Sequence, residues 1–152
     1  MMKHIWNICQ DSHPSSWATW AKLNLLCHKS IWDIPLPSDC SWTWRKLLKL
    51  QDTIKPFIKH SVGDEKTTFL WFDNWHPIGP LLSHYNDNII DDSTLPRYAK
   101  VDSIIRDRRW HWPLANSPNI LTLKESTSTL IFLRTGDLIL SFGYHPLQVP
   151  SP

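Results

Sequence analysis

The chain has 152 residues, 41% of them hydrophobic, enough apolar material for one domain-sized core, which excludes disorder throughout. Twelve prolines exclude long uninterrupted helices, and a formal charge of +2 is too small to mark a nucleic-acid binder by net charge alone. The three cysteines, Cys9, Cys27 and Cys40, make neither an even set nor a C-x-x-C pair, which argues against a disulfide framework and for a reducing, intracellular setting.

Met2, Ile5, Trp6 and Cys9 recur at i, i+3, i+4 and i+7, predicting a short amphipathic helix stopped by Ser12, His13 and Pro14. With one lysine and an early break at Asn7, Gln10 and Asp11, this end is not a secretion signal. Ser15 or Ser16 caps a second predicted helix, with Trp17, Trp20, Ala21 and Leu25 on one side, running to about Cys27. The prolines in Ile31-Trp32-Asp33-Ile34-Pro35-Leu36-Pro37 push the residues before them out of the helical region, so this stretch reads as an extended linker. Ser41 caps a third helix on which Trp44, Leu47 and Leu48 form the apolar side and Arg45, Lys46 and Lys49 gather on another, until Pro56 ends it.

Phe57 to Val62 and Thr67 to Asp73 are rich in β-branched and aromatic residues around Gly63-Asp64-Glu65-Lys66, which predicts a β-hairpin over 57–75. Leu70 and Phe72 alternate with Phe69 and Trp71, so its second strand is expected to be covered on both faces. From His76 the pattern is loop-like, with a short helix near Val101 to Arg106. From Asn116 no clear period is visible, and the most apolar stretch, Leu130 to Phe142, is interrupted by Arg134 and Asp137, too short to cross a bilayer. The expected architecture is an α+β fold: short N-terminal helices followed by a β-hairpin and a loop-rich C-terminal half with a poorly ordered tail, free of any membrane partner.

Asp91-Asp92 is the adjacent-carboxylate pair that two-metal phosphoryl transfer uses, but it lacks a third carboxylate in a recognisable strand context, and an acidic surface turn is the simpler reading. Cys9, His13, Cys27 and His28 supply ligand types that zinc prefers, in a spacing that fits no zinc-finger pattern. No nucleophile, phosphate loop or dinucleotide fingerprint is present, so no catalytic residue, metal, cofactor or small-molecule substrate is assigned. The remaining signal is basic residues among aromatics. Arg45, Lys46, Lys49, Lys55 and Lys59 lie near Trp42, Trp44 and Phe57, and Arg106, Arg108 and Arg109 flank Trp110 and Trp112. Cations that neutralise phosphates beside rings that stack on bases are how single-stranded RNA or DNA is held without sequence preference; a solvated helix face over core tryptophans is the alternative.

Several blocks occur in a fixed order: Lys3 to Cys9, Ser16-Trp17, Ile31 to Pro35, the W-x-W-R-K block from Ser41 to Leu50, and the G-D-x-x-x-T-x-x-W-x-D-x-W block from Val62 to Pro77. They are followed by Gly79 to Leu82, Ala99 to Val101 and Trp110 to Pro113. Together they resemble the polyproteins of plant non-LTR (LINE-type) retrotransposons over about residues 1–115. The resemblance implies the connector that follows the reverse-transcriptase domain and precedes a cysteine/histidine zinc-binding region. The polymerase aspartates lie upstream of that stretch, so it implies a non-catalytic fragment with at most weak nucleic-acid contact, or an interaction remnant with no ligand. On this division residues 1–62 are a helical connector with the basic third helix, 57–75 the hairpin, 76–115 a loop-rich family segment and 116–152 a divergent tail, as a shift of reading frame would leave. Glu65 replaces the family's second turn glycine.

Overall fold

The computed structural model describes residues 1–10, 14–60 and 66–130, and the backbone of 138–140. Helix α1 spans Met2–Cys9 and buries Ile5 and Ile8. The N-cap of α2 (Ser16–Ala21) is Ser15, whose hydroxyl accepts the Ala18 N–H at 3.2 Å. The helix then widens into a π-helical turn over Lys22–Leu26 and stops where Cys27 and His28 take positive φ values of 47° and 68°. Its buried side is Ala18, Ala21 and Leu26, while Trp20 is about half exposed. Of the expected face Trp17, Trp20, Ala21 and Leu25, Ala21 is buried and Trp17 and Leu25 pack against the core, and Trp20 alone turns outward. The two alanines turn inward because small side chains let the α2 backbone approach α1 closely.

The stretch expected as a linker is instead a junction. Ser30 caps a 3-10 turn over Ile31–Asp33, Ile31 is buried, and the Gln51 side chain donates to the carbonyls of Ile31 and Ile34. Helix α3 (Trp42–Lys49) and the short α4 (Gln51–Ile54) complete the N-terminal layer, and a further 3-10 turn over Lys55–Phe57 carries Pro56. One core lies here, built on Ile5, Ile8, Ala18, Ala21, Leu26, Trp44, Leu47, Leu48 and Ile54.

Strand β1 (Ile58–His60) pairs antiparallel with β4 (Leu138–Leu140), Ile58 opposite Leu140, and among the described residues it forms no ladder with 66–75. The expected hairpin over 57–75 is therefore corrected; its turn, 63–65, lies outside the described residues. The chain does return, since the His60 N–H donates to the Asn74 carbonyl at 2.8 Å. Residues 66–75 form coil, with one bridge between Phe69 and Lys100. The reason is local: Asp73 accepts the Phe69 N–H through Oδ2 at 2.7 Å and gives its own N–H to the Phe69 carbonyl at 3.2 Å. That closed loop buries Leu70, Trp71 and Phe72 consecutively, which a pleated strand, sending alternate residues to opposite faces, does not do.

A second core forms around these residues with Trp75, Leu81, Ile89, Val101, Ile104, Ile120 and Leu123. Around it lie α5 (Leu81–Tyr85), α6 (Asn88–Ser93), a 3-10 turn over Val101–Ile104 and the ribbon of β2 (Ile105–Arg106) with β3 (Arg109–Trp110). This ribbon has the two-residue turn looked for at 64–65: Asp107 and Arg108 have φ of 50° and 59°, positive at both positions as a type I′ turn requires. Helix α7 (Pro118–Ser128) has no counterpart in the sequence reading; it seats Ile120, Leu123 and Thr127 in this core. Residues 131–137 and 141–152 of the divergent tail lie outside the described residues. The class is mixed α+β, and among the described residues no helix is long and apolar enough to cross a membrane.

Candidate nucleic-acid interface

The spacing of α3 divides it into two faces. Trp44, Leu47 and Leu48 are buried, and Ser41 Oγ holds the helix start by accepting the Trp44 N–H at 3.3 Å. Trp42, Arg45, Lys46 and Lys49 stand at i, i+3, i+4 and i+7 and so share the opposite stripe. Trp42 is 67% exposed, and Lys46 Nζ sits 3.8 Å from its ring centroid, a cation–π contact. Arg45 is oriented by the bond from its Nη2 to the Ser38 carbonyl at 2.8 Å. Among the described residues none of these three cations is paired with a carboxylate. Lys46 and Lys49 also lie in the last turn, where positive charge suits the helix dipole.

Lys55 and Lys59 stand apart from this stripe. Lys55 is half-buried in the 3-10 turn; burial pushes its ammonium below the usual lysine range, opposed chiefly by the carboxylate of Asp73. Lys59 is the exposed residue of β1, between buried Ile58 and His60. At the second basic cluster Arg106, Arg108 and Arg109 are exposed, but the neighbouring rings are not available to bases. Trp110 stacks on Trp75 with centroids 5.6 Å apart and donates to the Leu130 carbonyl, and Trp112 lies 6.4 Å from Trp71. Sequence reasoning offered Trp42, Trp44 and Phe57 alike as stacking rings; the structure buries Trp44 and leaves Trp42 exposed. Its signal was the four-residue spacing to Lys46.

Asp91 and Asp92 occupy α6, where Asp92 accepts the Ser117 hydroxyl at 2.6 Å and ties α6 to the start of α7. His13 lies outside the described residues, and among those described no three His, Cys, Asp or Glu side chains come together as a metal site. The W-x-D-x-W block is structural. The Trp71 indole donates to the Pro96 carbonyl at 3.0 Å, that of Trp75 to the Leu70 carbonyl at 2.9 Å, and Asp73 Oδ1 accepts from Trp32 Nε1 at 2.9 Å. The chain matches no protein-family model, and no curated protein or solved structure matches it.

Proposed function

We propose that the chain is a non-catalytic segment of a LINE-type retrotransposon reverse-transcriptase polyprotein that touches single-stranded RNA or DNA, weakly and without sequence preference, through the outer face of α3. The ordered blocks between Lys3 and Pro113 support the origin. The observation that carries the molecular reading is Trp42, exposed on the same stripe as Arg45, Lys46 and Lys49: one ring for a base to stack on, three cations for the phosphates beside it. The test is a salt titration of binding to a labelled single-stranded oligonucleotide. Each phosphate contact on a single strand contributes about 0.7 to the slope of log affinity against log salt, so changing all three cations to Gln should lower that slope by about 2. Trp42→Ala should weaken binding at every salt concentration by about 1 kcal/mol or more. An unchanged slope in the triple variant overturns the reading.

A further inference from the structure

The three arginines of the β2–β3 ribbon lie outside the α3 stripe. Arg106 and Arg109 are directly opposite each other across the two strands, so their side chains leave one face of the ribbon from β-carbons about 5 Å apart. Arg108 stands between them in the turn at φ 59°, where a glycine is favoured. All three are exposed, and among the described residues no carboxylate forms an ion pair with any of them. The acids beside them in sequence, Asp102 and Asp107, are exposed as well. Like charges directly opposite each other and a side chain in left-handed backbone each cost stability, and no described ion pair of these arginines offsets either cost. The fold uses the other face of the ribbon. Ile105 and Trp110, also opposite each other, pack against the second core, Trp110 stacks on Trp75, and the His111 N–H donates to the Ile104 carbonyl at 2.6 Å. The ribbon is thus anchored on one side and offers its arginines on the other.

We propose that this arginine tip is a second nucleic-acid site, which holds the phosphates of double-stranded DNA without reading its sequence and acts independently of α3. What selects a duplex over a single strand is the placing of the rings. Trp110 and Trp112 pack into the core, so the tip has no ring on which an unpaired base can stack, and stacking supplies much of single-strand affinity. A duplex needs no ring. It carries one negative charge per about 1.7 Å of its axis, and the planar fork of an arginine takes two phosphate oxygens at once. The dimensions agree: two strands about 4.8 Å apart enter a B-form major groove about 12 Å wide, with a row of phosphates on either side. Local costs kept at an exposed, charged turn are what a binding tip requires and a purely structural turn does not.

The experiment measures binding of the full chain to a labelled DNA duplex of mixed sequence, and to one of its single strands, across a range of salt. Each phosphate contact on a duplex contributes about 0.9 to the slope of log affinity against log salt, so replacing Arg106, Arg108 and Arg109 by Gln should lower the duplex slope by about 2 to 3 and leave the single-strand slope as it is. The Arg45/Lys46/Lys49 to Gln variant should do the converse, so a failure at α3 and a failure at the ribbon are told apart. Lys at the same three ribbon positions should keep the duplex slope, which follows the number of charges. The ribbon Gln variant should also melt no lower than the parent, because a repulsive pair has been removed. An unchanged duplex slope in that variant, an equal loss on the single strand, a lowered melting temperature, a duplex slope that falls as far in the α3 variant, or poly-glutamate competing as well as unlabelled duplex at equal charge overturns the proposal.

Discussion

Removing the carboxylate of Asp73 tests the junction between the two cores directly. Asp73 is 5% exposed and accepts two hydrogen bonds, from Trp32 Nε1 at 2.9 Å and from the Phe69 N–H at 2.7 Å. Bonds to a charged acceptor are worth about 1.5–3 kcal/mol each, and deleting the acceptor strands both donors. Asp73→Ala should therefore cost about 3–5 kcal/mol, a large part of the roughly 5–15 kcal/mol that holds a domain together. Trp32→Phe removes the N–H together with the five-membered half of the indole, which packs against both cores, so the lost bond and the lost packing together should cost about 2–3 kcal/mol. Urea unfolding followed by circular dichroism measures both variants and their combination. The double variant should be less unstable than the sum by about 1 kcal/mol or more, because the same bond is lost in each. A cost below about 1 kcal/mol for Asp73→Ala, or additivity within about 0.5 kcal/mol, would refute the reasoning.

Two further outcomes are expected. His76 is 3% exposed; its Nδ1 accepts the Ile78 N–H at 3.3 Å and its Nε2 faces the Ser126 and Thr127 hydroxyls, an arrangement for the neutral ring. Burial first, and His84 nearby second, hold its pKa below the ordinary value, so the unfolded chain takes up the proton first. Stability should be full above about pH 6.5 and decline as pH falls below it; melting temperature across pH 5–8 checks this, and His76→Gln should flatten the decline. Arg108, at φ 59°, should give way to Gly with a gain of about 1 kcal/mol in thermal or chemical unfolding, since only glycine takes the left-handed region without penalty; equal or lower stability in Arg108→Gly would count against the type I′ turn.

The helices were legible because their signals are local. Ser15 and Ser41 cap where a hydroxyl precedes an apolar period, and Trp44, Leu47 and Leu48 turn inward at the spacing read from the sequence. What was not legible depends on distant partners. Nothing within 57–75 reveals that β1 pairs with Leu138–Leu140, or that a side-chain carboxylate ties Phe69 to Asp73 and cancels a strand made of strand-forming residues. Helix α7 escaped because its threonines and serines blur the period, yet Thr127 is buried with its hydroxyl donating to the Leu123 carbonyl, a local bond that removes the cost of burying it. The α3 stripe was half visible in sequence.

Trp32 packs against both cores, and its neighbour Asp33 accepts Arg97 through both oxygens, at 2.7 and 3.0 Å, and the Tyr98 hydroxyl at 2.7 Å. One short turn thus forms a wall of each core, and neither can open without stripping surface from the other. Sub-global opening, in which one half exchanges its amide protons while the other stays shut, is suppressed by such sharing. The slowest-exchanging amides of α1 and of α7 should then report one common opening free energy, as in a single foldon, although no residue of one helix contributes to the core of the other.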